Sequence, residues 1–302
     1  NLNLKKNITI ILQKILFFYN ISTFKVILLC MKKFIFILIS ILFTISCSTN
    51  STELIKFGSY TSARITTKGK QSLTYGTIEA RMKLPKGQGV WPAFWLLPET
   101  GNWPSAGEID IMEIIGGGNG FDNKLHGSVH FGDSYKNHLQ LTNSTSLANE
   151  TFNDEFHIFG VCWEENKITW LLDGKEYYSI TKSDVENMGG IWCFNQPFYV
   201  IFNFAMGGFW AESINKLPSK NIPYTNELII DWVKLKKLDD SLIWSDEFDT
   251  DGQINLNNWN FETEENGTWS HTWNNELQRY TENIENCYIK DGNLIIKVIE
   301  SN

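Results

Sequence analysis

The chain has 302 residues, of which 42% are hydrophobic and 14% aromatic, and its formal net charge at pH 7 is -8. This length and composition suffice for one large domain or two small ones with a substantial buried core. The acidic balance disfavours nucleic acid and other polyanions as partners. The 12 Trp, 20 Phe and 10 Tyr residues exceed the usual needs of packing, so some are candidates for stacking against flat, partly apolar ligands; core packing is the alternative for any single Trp.

The first 47 residues differ in character from the rest. Residues 1–30 are interpreted as upstream sequence outside the mature protein. From Met31 to Cys47, two lysines, an apolar run and a Ser-Cys end together predict a secretory signal. Its last residues, Thr-Ile-Ser-Cys, resemble a bacterial lipobox, which implies an exported protein anchored through a lipid on Cys47; cleavage without lipidation is the alternative. Residues 48–59 are interpreted as a short linker.

From Tyr60 onward, short runs of alternating apolar and polar residues are separated by turn residues. The pattern predicts strands over 75–84, 125–131, 157–165, 198–206, 228–237 and 293–300, and a hairpin turning at Asp173-Gly174. It predicts no helix of three turns or more, and it predicts surface loops near 133–155 and 211–227. Three remaining cysteines, Cys162, Cys193 and Cys287, predict neither a disulfide framework nor a zinc site. We therefore predict a single all-β domain over residues 60–302, a β-sandwich of two packed antiparallel sheets.

The stretch GEIDIMEII, residues 107–115, places three acids among isoleucines and a methionine. Alternation along a strand puts Glu108 and Asp110 on one face and the intervening isoleucines on the other. Strict alternation would then bury Glu113 in the core, which is very costly for an ionised carboxylate. We therefore predict a β-bulge around Ile111-Met112 that returns Glu113 to the acidic face.

Three neighbouring acids cannot all ionise cheaply, so one of them is expected to hold a proton near neutral pH. Retaining glycoside hydrolysis uses such a set: one carboxylate attacks the anomeric carbon while a protonated acid serves the leaving oxygen. The spacing of the acids along the strand suits the short carboxyl separation of a retaining pair. A calcium site is the alternative, because clustered carboxylates also bind hard cations.

The acidic stretch and six further blocks resemble glycoside hydrolase family 16, in the laminarinase-like β-1,3-glucanase type that has a bulged catalytic strand. The blocks are GVWPAFWLLP (89–98), HGSVHFGD (126–133), QPFYVIFNFAMGGFW (196–210), IIDWVKLKK (229–237), WSDEFD (244–249) and NNELQRYT (274–281). Together they cover nearly everything from Tyr60 to Asn302. The resemblance implies a jelly roll with a concave substrate cleft.

The order of the blocks differs from the family's. The blocks at 244–249 and 274–281 ordinarily precede the YTSARITTKGK segment (60–70), but here they follow the block at 229–237, and each occurs once. The chain therefore resembles a circular permutant, with the family's original termini fused near 238–241. A tandem duplication cut at both ends is the alternative.

The resemblance implies a role for each matched position. Glu108 matches the nucleophile, Glu113 the general acid and base, and Asp110 the residue that tunes their protonation. Substrate-binding roles are implied for Trp91, Trp95, His130, Asn203, Trp210, Asn275, Glu276 and Gln278. Without the resemblance, His130 would be interpreted as an ordinary strand histidine. A structural calcium ion is implied at Glu247 and Asp231, where nearby acids are alternatively solvated turn residues.

These roles imply an exported, endo-acting, retaining hydrolase of β-1,3-linked or mixed β-1,3/1,4-linked glucan. The enzyme is expected to act as a monomer, to need no organic cofactor, and to attach to a membrane only through Cys47. A non-catalytic glucan-binding lectin and a relative acting on agar or carrageenan are the alternatives. The three acids in register favour the enzyme, and the NNELQ block favours glucan.

Overall fold

The computed structural model of the protein describes residues 14, 55–118, 120–218, 224–263 and 273–301. All elements below belong to one compact unit, Ile55–Asn302. The predicted signal segment, with Cys47, lies outside the described residues. Within the described ranges, no helix has the length and apolar character needed to cross a membrane.

One of two large sheets carries the acidic strand, and we call it the cleft sheet. The main order of its strands is β15 (Asn260–Phe261), β2 (Arg64–Thr66), β12 (Phe198–Met206), β5 (Val90–Pro98), β6 (Glu108–Glu113), β7 (Lys124–Gly132) and β8 (His138–Ser146). One further short strand, β3 (Ser72–Leu73), pairs with β12 next to β2. All of these pairings are antiparallel.

The second large sheet, the outer sheet, is also antiparallel. Its main order is β11 (Lys175–Thr181), β10 (Lys167–Leu172), β9 (His157–Glu164), β4 (Gly76–Lys83), β13 (Glu227–Lys236), β18 (Asn293–Lys297) and β17 (Cys287–Lys290), and β14 (Leu242–Asp246) also pairs with β13. The described ranges contain two six-residue helices, α1 (Lys182–Asn187) and α2 (Gly208–Ser213), and a 3-10 turn at Tyr135–Asn137.

A small third sheet joins the two ends of the described domain. It consists of β16 (Gln278–Tyr280), β1 (Tyr60–Ser62) and β19 (Ile299–Glu300), with β1 in the middle. Tyr60 pairs with Glu300, so the first and last strands of the domain are neighbours. At the predicted fusion point, β13 continues into β14 through a tight hairpin that Lys237 N closes onto Ser241 O.

The two large sheets pack face to face over an aromatic core. Phe94 and Phe202 stack in the cleft sheet with ring centroids 4.8 Å apart. From the outer sheet, the fully buried Trp163 meets Phe198 of the cleft sheet edge-on, with centroids 5.3 Å apart. The predicted all-β sandwich is therefore confirmed, and the aromatic surplus is partly explained by this core.

The strand predictions agree with the structure except at one edge. The predicted hairpin is confirmed, since Asp173 and Gly174 both have positive φ, 51° and 73°, as a two-residue type I′ turn requires. The prediction of a loop over 133–155 is wrong in part, because β8 pairs with β7 along its whole length. This edge strand has no buried residue and so lacks the apolar face that would mark it in the sequence.

Candidate active site

The predicted bulge in β6 is confirmed by its pairing with β7. Asp110 lies opposite Ser128 and Glu113 lies opposite His126, so three steps along β6 match two steps along β7. The register with β5 shifts at the same place. The residues of β7 that lie opposite the three acids are His130, Ser128 and His126, which are two positions apart in the sequence. Glu108, Asp110 and Glu113 therefore share one face of the cleft sheet, the face turned away from the core.

The bulge is fixed from the core side. Ile109, Ile111 and Met112 are all buried in the hydrophobic core, which accepts the extra apolar residue. Trp170 of β10 reaches across from the outer sheet and donates its Nε1–H to the carbonyl oxygen of Asp110 at 2.7 Å. This bond holds the backbone at the residue from which the irregularity starts.

Burial dominates the electrostatics of the three acids. Desolvation raises the pKa of Glu108 to about 8 and that of Glu113 to about 8, and repulsion from Asp110 adds to both shifts. Desolvation also raises the pKa of Asp110 to about 7, while a hydrogen bond with Glu108 opposes that rise. The group therefore holds protons at neutral pH, as predicted, and it releases them in coupled steps.

His130 supplies a nitrogen to the acidic face from β7. Its Nε2 lies 3.0 Å from Asp110 Oδ2 and 3.8 Å from Glu108 Oε1. These three side chains are close enough to hold a metal ion, with candidate ligand atoms within 4.8 Å of one another. Two carboxylates and an imidazole do not fit calcium, which takes six to eight oxygen ligands.

Aromatic residues flank Glu113. Trp91 donates its Nε1–H to Glu113 Oε1 at 2.9 Å and packs edge-on against Trp210, with centroids 5.6 Å apart. Trp210 also meets His126 edge-on at 5.0 Å. Beyond this contact lies an open pocket lined by Ile115, Phe121, Lys124, His126, Trp210 and Ile214. Trp91 therefore contacts Glu113 directly, and Trp210 lies beside Trp91; the predicted substrate-binding roles of both remain predictions.

Trp95 begins a second set of contacts, which ends on a buried carboxylate. Trp95 donates its Nε1–H to Asn203 Oδ1 at 2.7 Å, and Asn203 Nδ2 lies 3.0 Å from the hydroxyl of Tyr280. The Tyr280 hydroxyl donates to Glu276 Oε2 at 3.0 Å, and Gln278 Nε2 donates to the same oxygen at 2.7 Å. Glu276 is therefore linked to the Trp95 indole through Tyr280 and Asn203.

Two of the predicted substrate-binding residues differ in their surroundings from the others. Gln278 is fully buried and accepts the backbone N–H of Met206, so it supports Glu276 and does not face the cleft. Its prediction as a sugar contact is wrong for that physical reason. Asn275 is exposed in a turn with positive φ, 55°.

The predicted calcium ligands are already paired with cations. Asp231 lies 2.5 Å from the Arg81 guanidinium, and Glu247 lies 3.2 Å from Lys234 Nζ. Neither belongs to a cluster of three ligating groups among the described residues. Calcium binding there would require both ion pairs to break, so the residues present do not fit the predicted ion.

Sequence reasoning missed several residues that surround the site. Arg64 lies with its guanidinium carbon 4.6 Å from the centroid of the Trp95 ring and pairs with Glu262 at 2.8 Å. Tyr280 and His138 also carry no individual signal, although Tyr280 stands inside the NNELQRYT block. Each contacts a residue that is distant in the sequence or on another strand, which no local pattern records.

The family assignment rests on a direct comparison. The model of glycosyl hydrolases family 16 matches residues 36–234, well over half of the chain. The chain belongs to glycosyl hydrolases family 16. The three acids and the tryptophans of β5 lie within the matched residues, whereas Glu276 and its donors lie beyond them.

Named members of the family show the same likeness. The chain is 37% identical over 185 residues to the beta-glucanase of Rhodothermus marinus, covering 58% of this chain and 62% of the relative. It is 36% identical over 190 residues to glucan endo-1,3-beta-glucosidase A1 of Niallia circulans, covering 60% of this chain and 27% of the relative. The chain thus spans less than two-thirds of the length of either relative.

A solved structure gives the same picture for the fold. The endo-beta-1,3-glucanase of Pyrococcus furiosus aligns with a TM-score of 0.50 and 39% identity, covering 56% of this chain and 64% of that one. The laminarinase catalytic domain of Thermotoga maritima aligns with a TM-score of 0.50 and 34% identity, covering 58% of this chain and 68% of that one. The family's jelly roll is therefore the fold of this domain.

Proposed function

We propose that the chain is an endo-acting, retaining β-glucanase that hydrolyses β-1,3-linked or mixed β-1,3/1,4-linked glucan. The observation that carries the proposal is the bulged strand β6, which presents Glu108, Asp110 and Glu113 together on the cleft sheet. The names of the relatives, a beta-glucanase and two endo-1,3-beta-glucanases among them, support glucan as the substrate class.

In the proposed mechanism, each glutamate has a separate role. The carboxylate of Glu108 attacks the anomeric carbon as the bond to the leaving oxygen breaks, and Glu113 transfers its proton to that oxygen. Glu113, now ionised, then takes a proton from a water molecule that attacks the same carbon. This second step releases the sugar, restores the Glu108 carboxylate and reprotonates Glu113.

One of the two glutamates must lose its proton before it can attack. Attraction from His130 and Arg64 opposes the rise in the pKa of Glu108, which burial and repulsion from Asp110 nonetheless bring to about 8. Burial, as the largest cause, raises the pKa of Glu113 to about 8, which keeps the general acid protonated at neutral pH. Asp110 lies between the two glutamates along β6, and burial raises its pKa to about 7.

Export fits this substrate, because β-glucan is a polymer that an enzyme meets outside the cell. We infer that Met31 to Cys47 directs export, with Cys47 as the site of lipid attachment. Mass spectrometry of the mature N-terminus would test both, and an unmodified, uncleaved Met31 in the expressed protein would contradict them.

The experiment is hydrolysis of a polysaccharide panel by the wild type and Glu108→Gln. We expect reducing sugar from laminarin or lichenan but not from agarose, and a loss of at least about 10⁴-fold in the variant, because the amide cannot form the glycosyl intermediate. Retained binding in glucan affinity gels would show that the variant is folded. Glu164→Gln, an exposed change at the end of β9 in the outer sheet, is the matched control.

Two outcomes would overturn the proposal. If the wild type binds glucan without hydrolysing it, the chain is a lectin. If it releases sugar only from agarose or carrageenan, it is a relative that acts on those polysaccharides. Product stereochemistry, followed by NMR in the first minutes of the reaction, tests retention separately.

We also propose that the chain is a circular permutant. The match to the family model ends at residue 234, yet β14 to β19 complete the same sheets, and β1 pairs with β19. Moving residues 242–301 in front of residues 60–236 should therefore give a folded protein with the same cleft. Failure of that rearranged chain to fold, measured by circular dichroism, would contradict the permutation.

A further inference from the structure

A second histidine stands directly behind the one that faces the acids. His138, at the start of β8, places its Nε2 2.7 Å from Nδ1 of His130. The two rings are nearly parallel, with an interplanar angle of 18°, and their centroids lie 4.9 Å apart. His130 is therefore held between His138 on one nitrogen and the carboxyl groups of Asp110 and Glu108 on the other.

The short contact between the rings constrains where protons lie. Two nitrogens at this distance share one N–H, so one ring donates and the other accepts. When His138 donates, Nδ1 of His130 is the acceptor, and a neutral His130 carries its proton on Nε2. When His130 is an imidazolium, it donates from both nitrogens and His138 accepts. Both arrangements place an N–H of His130 toward Asp110.

The remaining arrangement is unfavourable beside an ionised acid. If a neutral His130 donated from Nδ1, its Nε2 lone pair would face Asp110 Oδ2 at 3.0 Å, and two acceptors would repel each other. An ionised carboxylate therefore favours the arrangements in which Nε2 carries hydrogen. A neutral His138 that donates to Nδ1 of His130 reinforces this preference, because Nδ1 is then an acceptor and the proton of a neutral His130 lies on Nε2.

His138 is itself held in place and kept neutral. Trp103 packs against it, with ring centroids 4.8 Å apart. Burial lowers the pKa of His138, and repulsion from His130 lowers it further. A neutral, immobilised imidazole is the partner that His130 needs, since a second positive charge would repel it.

We propose that His138 is a positioning residue: its hydrogen bond to Nδ1 of His130 favours hydrogen on Nε2, the nitrogen that lies 3.0 Å from Asp110 Oδ2 and 3.8 Å from Glu108 Oε1. This inference rests on the proposed function, because the N–H aimed at the acids matters for a reaction in which Glu108 is ionised. It concerns only the orientation of a proton, and it assigns His138 no contact with sugar.

The test compares His138→Phe with His138→Gln. Phenylalanine keeps a ring for packing against His130 and Trp103 but has no nitrogen, whereas the glutamine amide retains both a donor and an acceptor. We expect the Phe variant to lose about 10- to 100-fold in kcat on laminarin with KM within about twofold, and the Gln variant to recover most of the loss. Ser146→Ala, an exposed residue at the far end of the same strand, opposite Lys124, is the matched control.

Nitrogen-15 NMR of the histidine side chains reads the tautomer without relying on turnover. We expect Nε2 of His130 to carry hydrogen in the wild type and in the Gln variant, and to show a mixed tautomer in the Phe variant. An unchanged His130 spectrum and unchanged kcat in the Phe variant would overturn the inference, as would equal losses in both variants. If the wild type hydrolyses no glucan, the proposed function fails, and the spectra alone still decide the role of His138.

Discussion

The buried carboxyl group of Glu276 and the three acids of β6 differ in how many hydrogen-bond donors surround them. Glu276 is almost wholly buried, yet Asn274, Gln278 and Tyr280 all donate hydrogen bonds to it. The acids of β6 have few donors for their number, and two of them, Glu108 and Glu113, are raised in pKa to about 8, mainly by burial.

The number of donors distinguishes a structural carboxylate from carboxyl groups suited to proton transfer. A carboxylate with three hydrogen-bond donors is fixed in its position and orientation by those bonds. Carboxyls that are buried without enough donors have protonation states of similar energy, which is the property that proton transfer needs. Glu276 and its donors therefore contact the Trp95 side of the site, and in the proposed mechanism the acids of β6 perform the bond cleavage.

The largest expected effect is a difference in kcat between Glu113→Gln and Glu276→Gln. The same chemical change should lower kcat on laminarin by about 10²- to 10⁴-fold at Glu113, which loses its transferable proton. At Glu276 it should lower kcat by less than about tenfold, since this residue touches no reacting atom in the proposed mechanism. Equal losses at the two positions would place Glu276 within the chemistry.

The same two variants should change stability in opposite directions at alkaline pH. The pKa of Glu113 is raised in the folded state, so its contribution to stability is present below about pH 4 and is lost as the pH rises through about 8. At pH 9, Glu113→Gln removes a buried charge and should raise the unfolding temperature by a few degrees. Glu276→Gln disrupts satisfied hydrogen bonds and should cost about 1–3 kcal/mol.

Calorimetry at pH 5 and pH 9 measures both effects. At pH 5 the Glu113 variant should resemble the wild type, because the native acid is protonated there. A Glu113 variant that is less stable than the wild type at pH 9 would contradict the conclusion that burial disfavours the ionised form of this acid.

The smallest expected effect is a shift in the pH profile of Asp110→Asn. Repulsion from Asp110 raises the pKa of both Glu108 and Glu113, so a neutral amide should let each lose its proton at lower pH. The alkaline limb of kcat/KM for the residual activity should move down by about one pH unit or less. Profiles on laminarin from pH 5 to 10 measure the shift, with Glu164→Gln as the control. A limb that moved up would reverse the assigned repulsion.

The bulge was predictable because the alternative was so costly. Alternation would have sent an ionised Glu113 into the core, and no surface rearrangement could offset that burial. No comparable energetic cost predicts the hydrogen bonds between Trp95, Asn203, Tyr280 and Glu276. Tyr280 is joined to Asn203 by a contact between residues 77 positions apart, and neither position shows a periodicity or charge pattern that indicates the other.

Two other features had no sequence signal for a different physical reason. The strand β8 faces solvent at a sheet edge, so burial places no apolar requirement on its residues. His138 acts through a ring contact with His130 on the adjacent strand, and a single polar residue on an exposed edge does not stand out. The buried strand β12, by contrast, was predicted over its full length, 198–206.

The extra residue in β6 also limits how the strand can change in length. Removing Ile111 or Met112 would leave five residues in plain alternation from Glu108 onward, and all three carboxyls would still point outward. Removing Ile109 would instead turn one acid inward. Single-residue deletions should thus be tolerated at one place in this strand and abolish the site at another.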